Sequence, residues 1–366
     1  MRAICFANKP PHVPAQPTPN AVPAPSSATA APKRVTIREL AQAAGVSIGT
    51  VSRALKGQPG LSEPTRAAVM QMAQALGYDL GKLRSGKPRR LMFLYNRALQ
   101  SLSDNQFYSL VLQGAETACR AADVTLSLLS VGPGDDIAAA ARRDEADGLI
   151  AVGYFDHDAV AAMRACELPL VLTDHFHAGL HCINDDNLHG ALLATRHLLE
   201  GGAQRVAMIC GPMSHHSVAL RAKGFRRALF ESGRLADPDY EVVMDMALQY
   251  DEAGRDAMRR LLALPQRPDA VFAYNDSTAL NAMAVCAEAG LRVPDDIRFV
   301  GYDDIVAAGR SVPPLSTVRV DKQGLGREAV VALVHGQVGA GDQLLGVELV
   351  VRESSSASGP GGAVAA

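Results

Sequence analysis

Residues 36–55 set two short amphipathic helices either side of a glycine, which leaves the start of this chain few ways to fold. In Thr36-Ile37-Arg38-Glu39 the hydroxyl can take an orphan helix N–H while the carboxylate reaches back, a capping box. Gly45 stands where the first helix must stop and turn. Ser47 can cap the second helix, with Val46 before it and Val51 and Leu55 on its inner face. A third helix follows: Ser62 caps it, Pro64 sits in its first turn, and Val69, Met70, Met72, Ala73 and Leu76 supply its inner face up to Gly77-Tyr78. The spacing predicts a three-helix module with a helix-turn-helix, whose second helix presents Ile48, Gly49, Thr50 and Arg53 outward.

Charge says what that face is for. Eleven Lys/Arg against Glu39, Glu63 and Asp79 leave residues 33–90 at +8; Arg2 and Lys9 add two more, so with −2 overall residues 91–366 carry −12. A basic head on an acidic body is the footprint of phosphate contact by one segment only. A helical hairpin that packs on another element is the bland alternative.

Residues 1–32 hold eight of the 21 prolines and eight alanines with almost no charge, a composition that buries no core and is expected to be disordered. They read as extra residues ahead of the folded chain, and the residues after about Ser354 read as a second loose tail. No apolar run reaches the roughly 20 residues that span a bilayer, and no signal peptide is expected. Cys5, Cys119, Cys166, Cys182, Cys210 and Cys286 are scattered without a CxxC and read as buried, reduced thiols of a cytoplasmic protein.

From Leu91 onward short apolar runs alternate with helix-length segments. Strands are expected at 91–95, 124–129, 148–152, 170–172, 205–209, 270–273 and 298–302, and helices at 107–121, 159–165, 188–200, 220–231, 253–264 and 278–289. Strand–helix alternation over about 260 residues predicts two parallel-sheet lobes with helices on both faces, and ligands of such sheets sit beyond the carboxyl ends of the strands.

Several motifs fail on inspection. Gly81-Lys82-Leu83-Arg84-Ser85-Gly86-Lys87 looks like a phosphate loop, but Pro88 stands where Ser/Thr is needed and a strand follows. Asp174-His175-Phe176-His177 with His181, or His215-His216, lacks a convincing third metal ligand. No cofactor or metal is expected, and no catalytic constellation stands out.

Across residues 35–353 the chain resembles the lactose/galactose repressor (LacI/GalR) family. The head carries VTIRELAQAAGVSIGTVSRAL and LSEPTRAAVMQMAQALGY. The body adds, in order, Phe107-Tyr108-Ser109, Leu168–Asp174, Asp185-Asp186-Asn187, Arg221–Phe225, Ala273–Asp276, Val293–Ile297, Val300–Asp304, Pro313–Val318 and Leu349–Ser354. The resemblance implies an N-terminal all-α helix-turn-helix head plus an α/β body. That body would be two Rossmann-like lobes, as in type I periplasmic sugar-binding proteins, with crossovers near Asp186, Val318 and Gly346. The expected divisions are a tail (1–32), the DNA-binding head (33–78), a hinge (79–90), an effector-binding and dimerisation body (91–353) and a tail (354–366). Lobe 1 would span about 91–185 and 319–345, and lobe 2 about 186–318 and 346–353.

The family pattern assigns roles to residues. Ser47, Thr50 and Ser52 match phosphate-binding positions, and Arg53 a base- or phosphate-reading arginine; Ile48 and Gly49 stand where operator preference is set. Thr36, Ser62, Thr65, Tyr78 and Leu83 complete the expected DNA-contacting set. For the effector, Asn275 and Asp303 follow their strands directly, Arg221 lies near the start of a lobe 2 helix, and Phe107 and Tyr108 match an aromatic that stacks on effectors. Asn96, Arg97, Asp174 and His175 are placed at the same mouth. Asp303 is read as a ligand group and Asp304 as the cap of the next helix.

One departure concerns the hinge. Tyr78 is followed by Asp79-Leu80-Gly81-Lys82-Leu83-Arg84-Ser85-Gly86, shorter than the family's hinge and with Gly81 in place of Asn, so no stable minor-groove helix is expected there. The sequence thus reads as a homodimeric repressor of a carbohydrate-utilisation operon. It would bind a pseudo-palindromic DNA operator and answer a sugar or sugar acid held between the lobes. A nucleobase or other metabolite effector, a transporter solute-binding protein, and a sugar enzyme with a fused helix-turn-helix are the alternatives.

Overall fold

The computed structural model describes residues 35–55, 60–76, 78, 87–97 and 106–356. It falls into two compact units that divide between Ser85 and Gly86. The expectations for residues 1–32 and for hinge residues 79–86, including Leu83, lie outside the described residues, while Arg90, expected in the hinge, already opens the first strand.

The first unit is three helices: α1 (Ile37–Ala44), α2 (Ile48–Leu55) and α3 (Glu63–Ala75). The Thr36–Glu39 capping box forms in full, and Gly45 ends α1 at φ +64°, where a side chain would be strained. Ser47 Oγ accepts from Thr50 N at 3.0 Å and so caps α2. Leu40, Ala41, Val51, Ala54, Val69 and Ala73 make the small core, with Leu55, Met72 and Tyr78 packed around it. Two expectations fail on α3. Ser62 holds the N-cap position without capping; its hydroxyl pairs with Thr65 Oγ1 at 2.8 Å instead. Met70 and Leu76 point outward, 37% and 38% exposed, because the short partner helices can cover only the Val69–Ala73 stripe.

In the second unit the strands are β1 (Arg90–Asn96), β2 (Thr125–Val131), β3 (Gly148–Val152), β4 (Leu170–Thr173), β5 (His181–Asp185), β6 (Val206–Cys210), β7 (Glu241–Val243), β8 (Ala270–Ala273), β9 (Arg298–Asp303), β10 (Ser316–Val320), β11 (Gly341–Leu345) and β12 (Val347–Val350). They form two six-stranded sheets, ordered β11-β5-β4-β3-β1-β2 and β12-β10-β9-β8-β6-β7. All pairings are parallel except β10 with β12. β3, β4, β6 and β8 are buried at every residue, as their unbroken apolar runs require of strands covered on both faces. The chain crosses between sheets after Asp185, after Val320 and at Gly346. Each sheet with its helices is a lobe: lobe 1 is built on β1, lobe 2 on β6.

The connecting helices are α4 (Gln106–Ala121), α5 (Ile137–Arg143), α6 (His157–Arg164), α7 (Asn187–Glu200), α8 (His216–Glu231), α9 (Tyr250–Leu262), α10 (Asp276–Glu288), α11 (Val306–Arg310) and α12 (Lys322–Val334). The pattern did not predict α5, α11 or α12. In α12 Gly326 lets the helix press onto α4. A Cβ at Gly326 would overlap the Val111 carbonyl, and one at Gly114 the Gln323 carbonyl. Gly326→Ala is therefore expected to destabilise the body by about 1–3 kcal/mol or more through overpacking of backbone that cannot give way. Urea denaturation checks this, and an unchanged midpoint would refute it.

Ser354 and Ser355, expected to open a loose tail, are packed in the body, and the rest of that expectation, residues 357–366, lies outside the described residues. Ser354 and Ser355 are buried: Ser354 Oγ donates to Phe299 O at 2.8 Å and accepts from Ser316 N at 2.8 Å, and Ser355 Oγ meets His197 Nε2 at 2.7 Å. Cys119, Cys182, Cys210 and Cys286 are buried free thiols; Cys166 is half-buried. No helix among the described residues is long and apolar enough to cross a membrane.

Candidate functional site

In the head, the face of α2 turned from the core carries Ile48 (45% exposed), Gly49 and Arg53. A Cβ on Gly49 would meet nothing nearer than Ser47 Oγ at 3.8 Å, so that point is open to a close partner. Arg53 Nε donates to Gly49 O at 3.4 Å. Ser47 and Thr50 share a hydrogen bond at 2.9 Å beside them, and Ser52 is half-buried. Exposed Thr36 is engaged with Glu39, and the Ser62–Thr65 hydroxyl pair opens α3. Tyr78 is half-buried against the helical core rather than standing free.

In the body, a cavity of about 610 Å³ is lined by Phe107, Tyr108 and Asp174 of lobe 1 and by Arg221, Tyr274, Asn275 and Asp303 of lobe 2. Six of these, all but Tyr274, are expected residues, and they converge because each lies at or just past a strand end or near a helix start facing the crevice. Asn96, Arg97 and His175 do not line it. Asn96 Nδ2 donates to Tyr154 O at 3.0 Å, Arg97 turns to Asp135, and His175 is buried edge-on to the Tyr154 ring.

Arg221 is the hub of the cavity floor. Nε donates to Asn187 Oδ1 at 2.7 Å and Nη1 to Tyr274 O at 2.6 Å. The guanidinium lies 3.6 Å over the Tyr302 ring, with Nη2 3.6 Å from Asp303 Oδ1 and 3.8 Å from Asp185 Oδ2. Burial works against its charge, but Asp303, Tyr302 and Asp185 hold its pKa above the usual Arg value. Tyr302 OH donates to Asp185 Oδ2 at 2.8 Å, and Lys322 Nζ donates to the Asp303 carbonyl.

The carboxylates here are poorly satisfied. Asp174 Oδ1, Asp185 Oδ1 and Asp303 Oδ1 are buried without a hydrogen-bond partner. Asp174 Oδ2 accepts from Tyr108 OH at 3.0 Å. Burial pushes the Asp303 carboxyl up to about 7 against the pull of Arg221 and Lys322, with Asp185 and Asp174 adding to the rise. Burial and then Asp185 raise Asp174 to about 6. Asp174 (φ +52°) and Asp303 (φ +105°) both sit in the left-handed region, the kind of backbone strain that collects at working sites.

Asn275 divides its amide. Oδ1 caps α10 by accepting from Thr278 N at 3.0 Å, while Nδ2 donates to Tyr250 OH at 2.7 Å. Asp304 is not the cap expected of it: α11 starts at an uncapped Ile305, and Asp304 instead bridges Arg352 and Arg319, each at 2.6 Å. Beside the cavity the lobes meet through rings. Tyr154 stacks on His215 at 4.8 Å and Phe176 on His216 at 4.9 Å. Burial holds His175 and His215 down to about 4, helped at His175 by His215 and His216 and at His215 by Arg221. Among the described residues no group of three or more His, Cys, Asp or Glu could hold a metal ion.

Sequence reasoning missed Asp185, Asn187, Tyr274, Tyr302 and Lys322. A signal existed for the first: Asp185 ends β5, so the strand-end rule would have found it had HCIND been read as a strand.

Comparison with known proteins fits this architecture. Residues 36–79 match the bacterial regulatory proteins of the lacI family, and residues 195–355 a periplasmic binding protein-like domain. The chain is 33% identical to the ribose operon repressor of Escherichia coli (strain K12) over 310 residues, 82% of this chain and 92% of the relative. It is 31% identical to the HTH-type transcriptional repressor CytR of the same organism, over 88% of this chain and 96% of the relative. Among solved structures, a complex of the transcriptional regulator CelR with cellobiose matches with a TM-score of 0.67 at 29% identity, covering 88% of this chain and all of that one. A lac repressor dimer bound to operator and the anti-inducer ONPF matches with a TM-score of 0.65 at 27% identity, covering 89% of this chain and all of that one. These relatives are regulators, not enzymes. With its helix-turn-helix head and two-lobed periplasmic-binding-protein-like body, the chain belongs to the LacI family of DNA-binding transcriptional regulators.

Proposed function

We propose that this regulator is a homodimeric repressor that binds a pseudo-palindromic operator through α2 and releases or grips it according to a neutral polyol held between the lobes. The observation that carries the effector reading is a pair of carboxylate oxygens without a hydrogen-bond donor, Asp174 Oδ1 and Asp303 Oδ1, on opposite lobes of one cavity, the second of them only in ion-pair range of Arg221. A buried acceptor without a donor costs about 1–3 kcal/mol, and ligand hydroxyls donating to both would relieve that cost and draw the lobes together. A sugar acid fits less well. Two of the three guanidinium nitrogens of Arg221 are already committed, and a further anion would sit beside two carboxyls. A cytoplasmic location follows from the DNA target. Two chains are needed because a single helix-turn-helix reads too few base pairs for useful specificity.

In the head, Ile48, Gly49 and Arg53 would face base edges, while Ser47, Thr50 and Ser52, with Thr36, Ser62 and Thr65, would hold phosphates. Selecting bound sequences from a random DNA pool with the full chain should recover two inverted half-sites, with affinity falling steeply as salt rises. Arg53→Ala should weaken the selected site by about 1–3 kcal/mol and relax preference at one base position. A single asymmetric half-site would remove the dimer reading. An unchanged affinity in Arg53→Ala would remove Arg53 from base recognition.

A further inference from the structure

Asp303 stands on strained backbone, and the group that meets that backbone comes from the other lobe. Asp303 (φ +105°) and Asp304 (φ +53°) are consecutive non-glycine residues in the left-handed region, which persists only where neighbours over-determine it. Their carbonyls and that of Val320 converge on one ammonium. Lys322 Nζ donates to Asp303 O, and to Asp304 O and Val320 O at 3.4 Å each. An ammonium has three N–H donors and no acceptor, so three carbonyls use it up. Lys322 is only 6% exposed and does not line the cavity, so it is not a ligand group. It is the first residue of α12, just past the crossover from β10, and α12 packs on β4 and α4. The side chain therefore has its root in lobe 1 and its acceptors in lobe 2.

We infer that Lys322 is a positioning residue: reaching from lobe 1, it fixes the Asp303–Asp304 turn of lobe 2 and so aims the Asp303 carboxyl into the cleft. Burying a cation is costly unless it is fully hydrogen-bonded, and here the bonds that satisfy it are the ones that hold the turn. The aim of Asp303 is thereby tied to the placement of one lobe on the other, because a shift between them draws the ammonium off its carbonyls. The charge acts as well. Burial pushes the Asp303 carboxyl up, and Arg221 and then Lys322 pull against it. The purpose of this device rests on the reading of Asp303 as an effector contact, but its geometry does not, and a test without ligand lets the two fail separately.

The test compares the full chain with Lys322→Met, which keeps the stem and removes every donor. Two quantities are read: hydrogen exchange by mass spectrometry, and titration of the aspartate carboxyls by carbon-13 NMR, where the Asp303 signal is the one that Asp303→Asn deletes. Asp304 N and Ile305 N are held by Thr317 Oγ1 and Asp276 Oδ2, so both amides have protection to lose. They should exchange about tenfold or more faster in the variant, while β3 and β6 keep the rates of the parent chain. The Asp303 carboxyl should hold its proton about tenfold more tightly, since a cation is gone while Arg221, Asp174 and Asp185, which also act on it, stay in place. Should Lys322→Met not fold, Lys322→Gln, which keeps two N–H donors without the charge, reads the same two quantities in the same directions. In whichever variant folds, unchanged exchange at Asp304 and Ile305 would overturn the inference. So would acceleration spread evenly over both lobes, the mark of a lysine that only stabilises the body, or an unmoved Asp303 titration.

Discussion

Arg221→Ala is expected to destabilise the body by about 3–5 kcal/mol, the cost of stripping the partner from buried charge. The guanidinium faces Asp303 and Asp185, fills the space over Tyr302 and holds Asn187 and the Tyr274 carbonyl. Without it, two carboxylates nearly sealed from water face each other, and two acceptors lose their donor. Against the 5–15 kcal/mol that holds a typical domain together, this is a large fraction. Urea denaturation followed by circular dichroism reads it directly, and a shift below about 1 kcal/mol would show that the hub is not structural. Loss of effector response in this variant would therefore mix binding with folding. Asp303→Asn separates the two. With its pKa near 7 the Asp303 carboxyl is already about half neutral at pH 7, so the isosteric amide should change stability little. It should nevertheless weaken polyol binding about tenfold or more, because a charge-assisted acceptor becomes a neutral one.

That separation marks how far the sequence could be read. The head was legible nearly to the residue, because its signals are local: a capping box, a glycine at a left-handed turn, a hydroxyl cap. It misled twice: Ser62 pairs with Thr65 Oγ1 instead of capping α3, and at Met70 and Leu76 the apolar stripe was wider than the small partner helices could cover. In the body the fully buried strands were legible, since burial on both faces demands continuous apolar runs. The polar and edge strands β5, β7, β10, β11 and β12 were not, because they are defined by pairing with distant segments rather than by their own composition. The site followed the same division. Asp303 and Asn275 follow strands that could be read; Asp185 ends one that could not. The roles of Asn275 and Asp304 were invisible for another reason. Whether a side chain caps a helix, bridges two arginines or points into a cavity is decided by neighbours that the chain brings together only on folding.

The acid–base behaviour of the cleft follows from groups on both lobes and gives the effector a strong pH dependence without a matching one in stability. Asp303 and Asp174, raised to about 7 and about 6, favour the folded state at low pH; their contribution is fully present below the unfolded value near 3.9 and is lost as pH rises through 6 and 7. His175 and His215, lowered to about 4, work the other way; their contribution is present above about 6.5 and lost as pH falls through 4. The windows overlap, so the unfolding midpoint should be nearly flat from about pH 4 to 6.5. Ligand binding lacks that cancellation. Hydroxyls donating to Asp174 and Asp303 favour the ionised carboxylates, so a neutral polyol must displace the protons that the empty cleft holds. Affinity for the tightest neutral ligand should thus rise by roughly ten- to a hundredfold from pH 5.5 to pH 8 and level off above pH 7. Calorimetry in buffers of different ionisation enthalpy should report protons released on binding. Asp303→Asn should remove the part of the rise nearest pH 7 and leave the part that Asp174 governs near pH 6. Affinity that is flat, or that climbs toward acid, would mean that the ligand does not donate to these carboxylates and that their raised pKa values serve the fold alone.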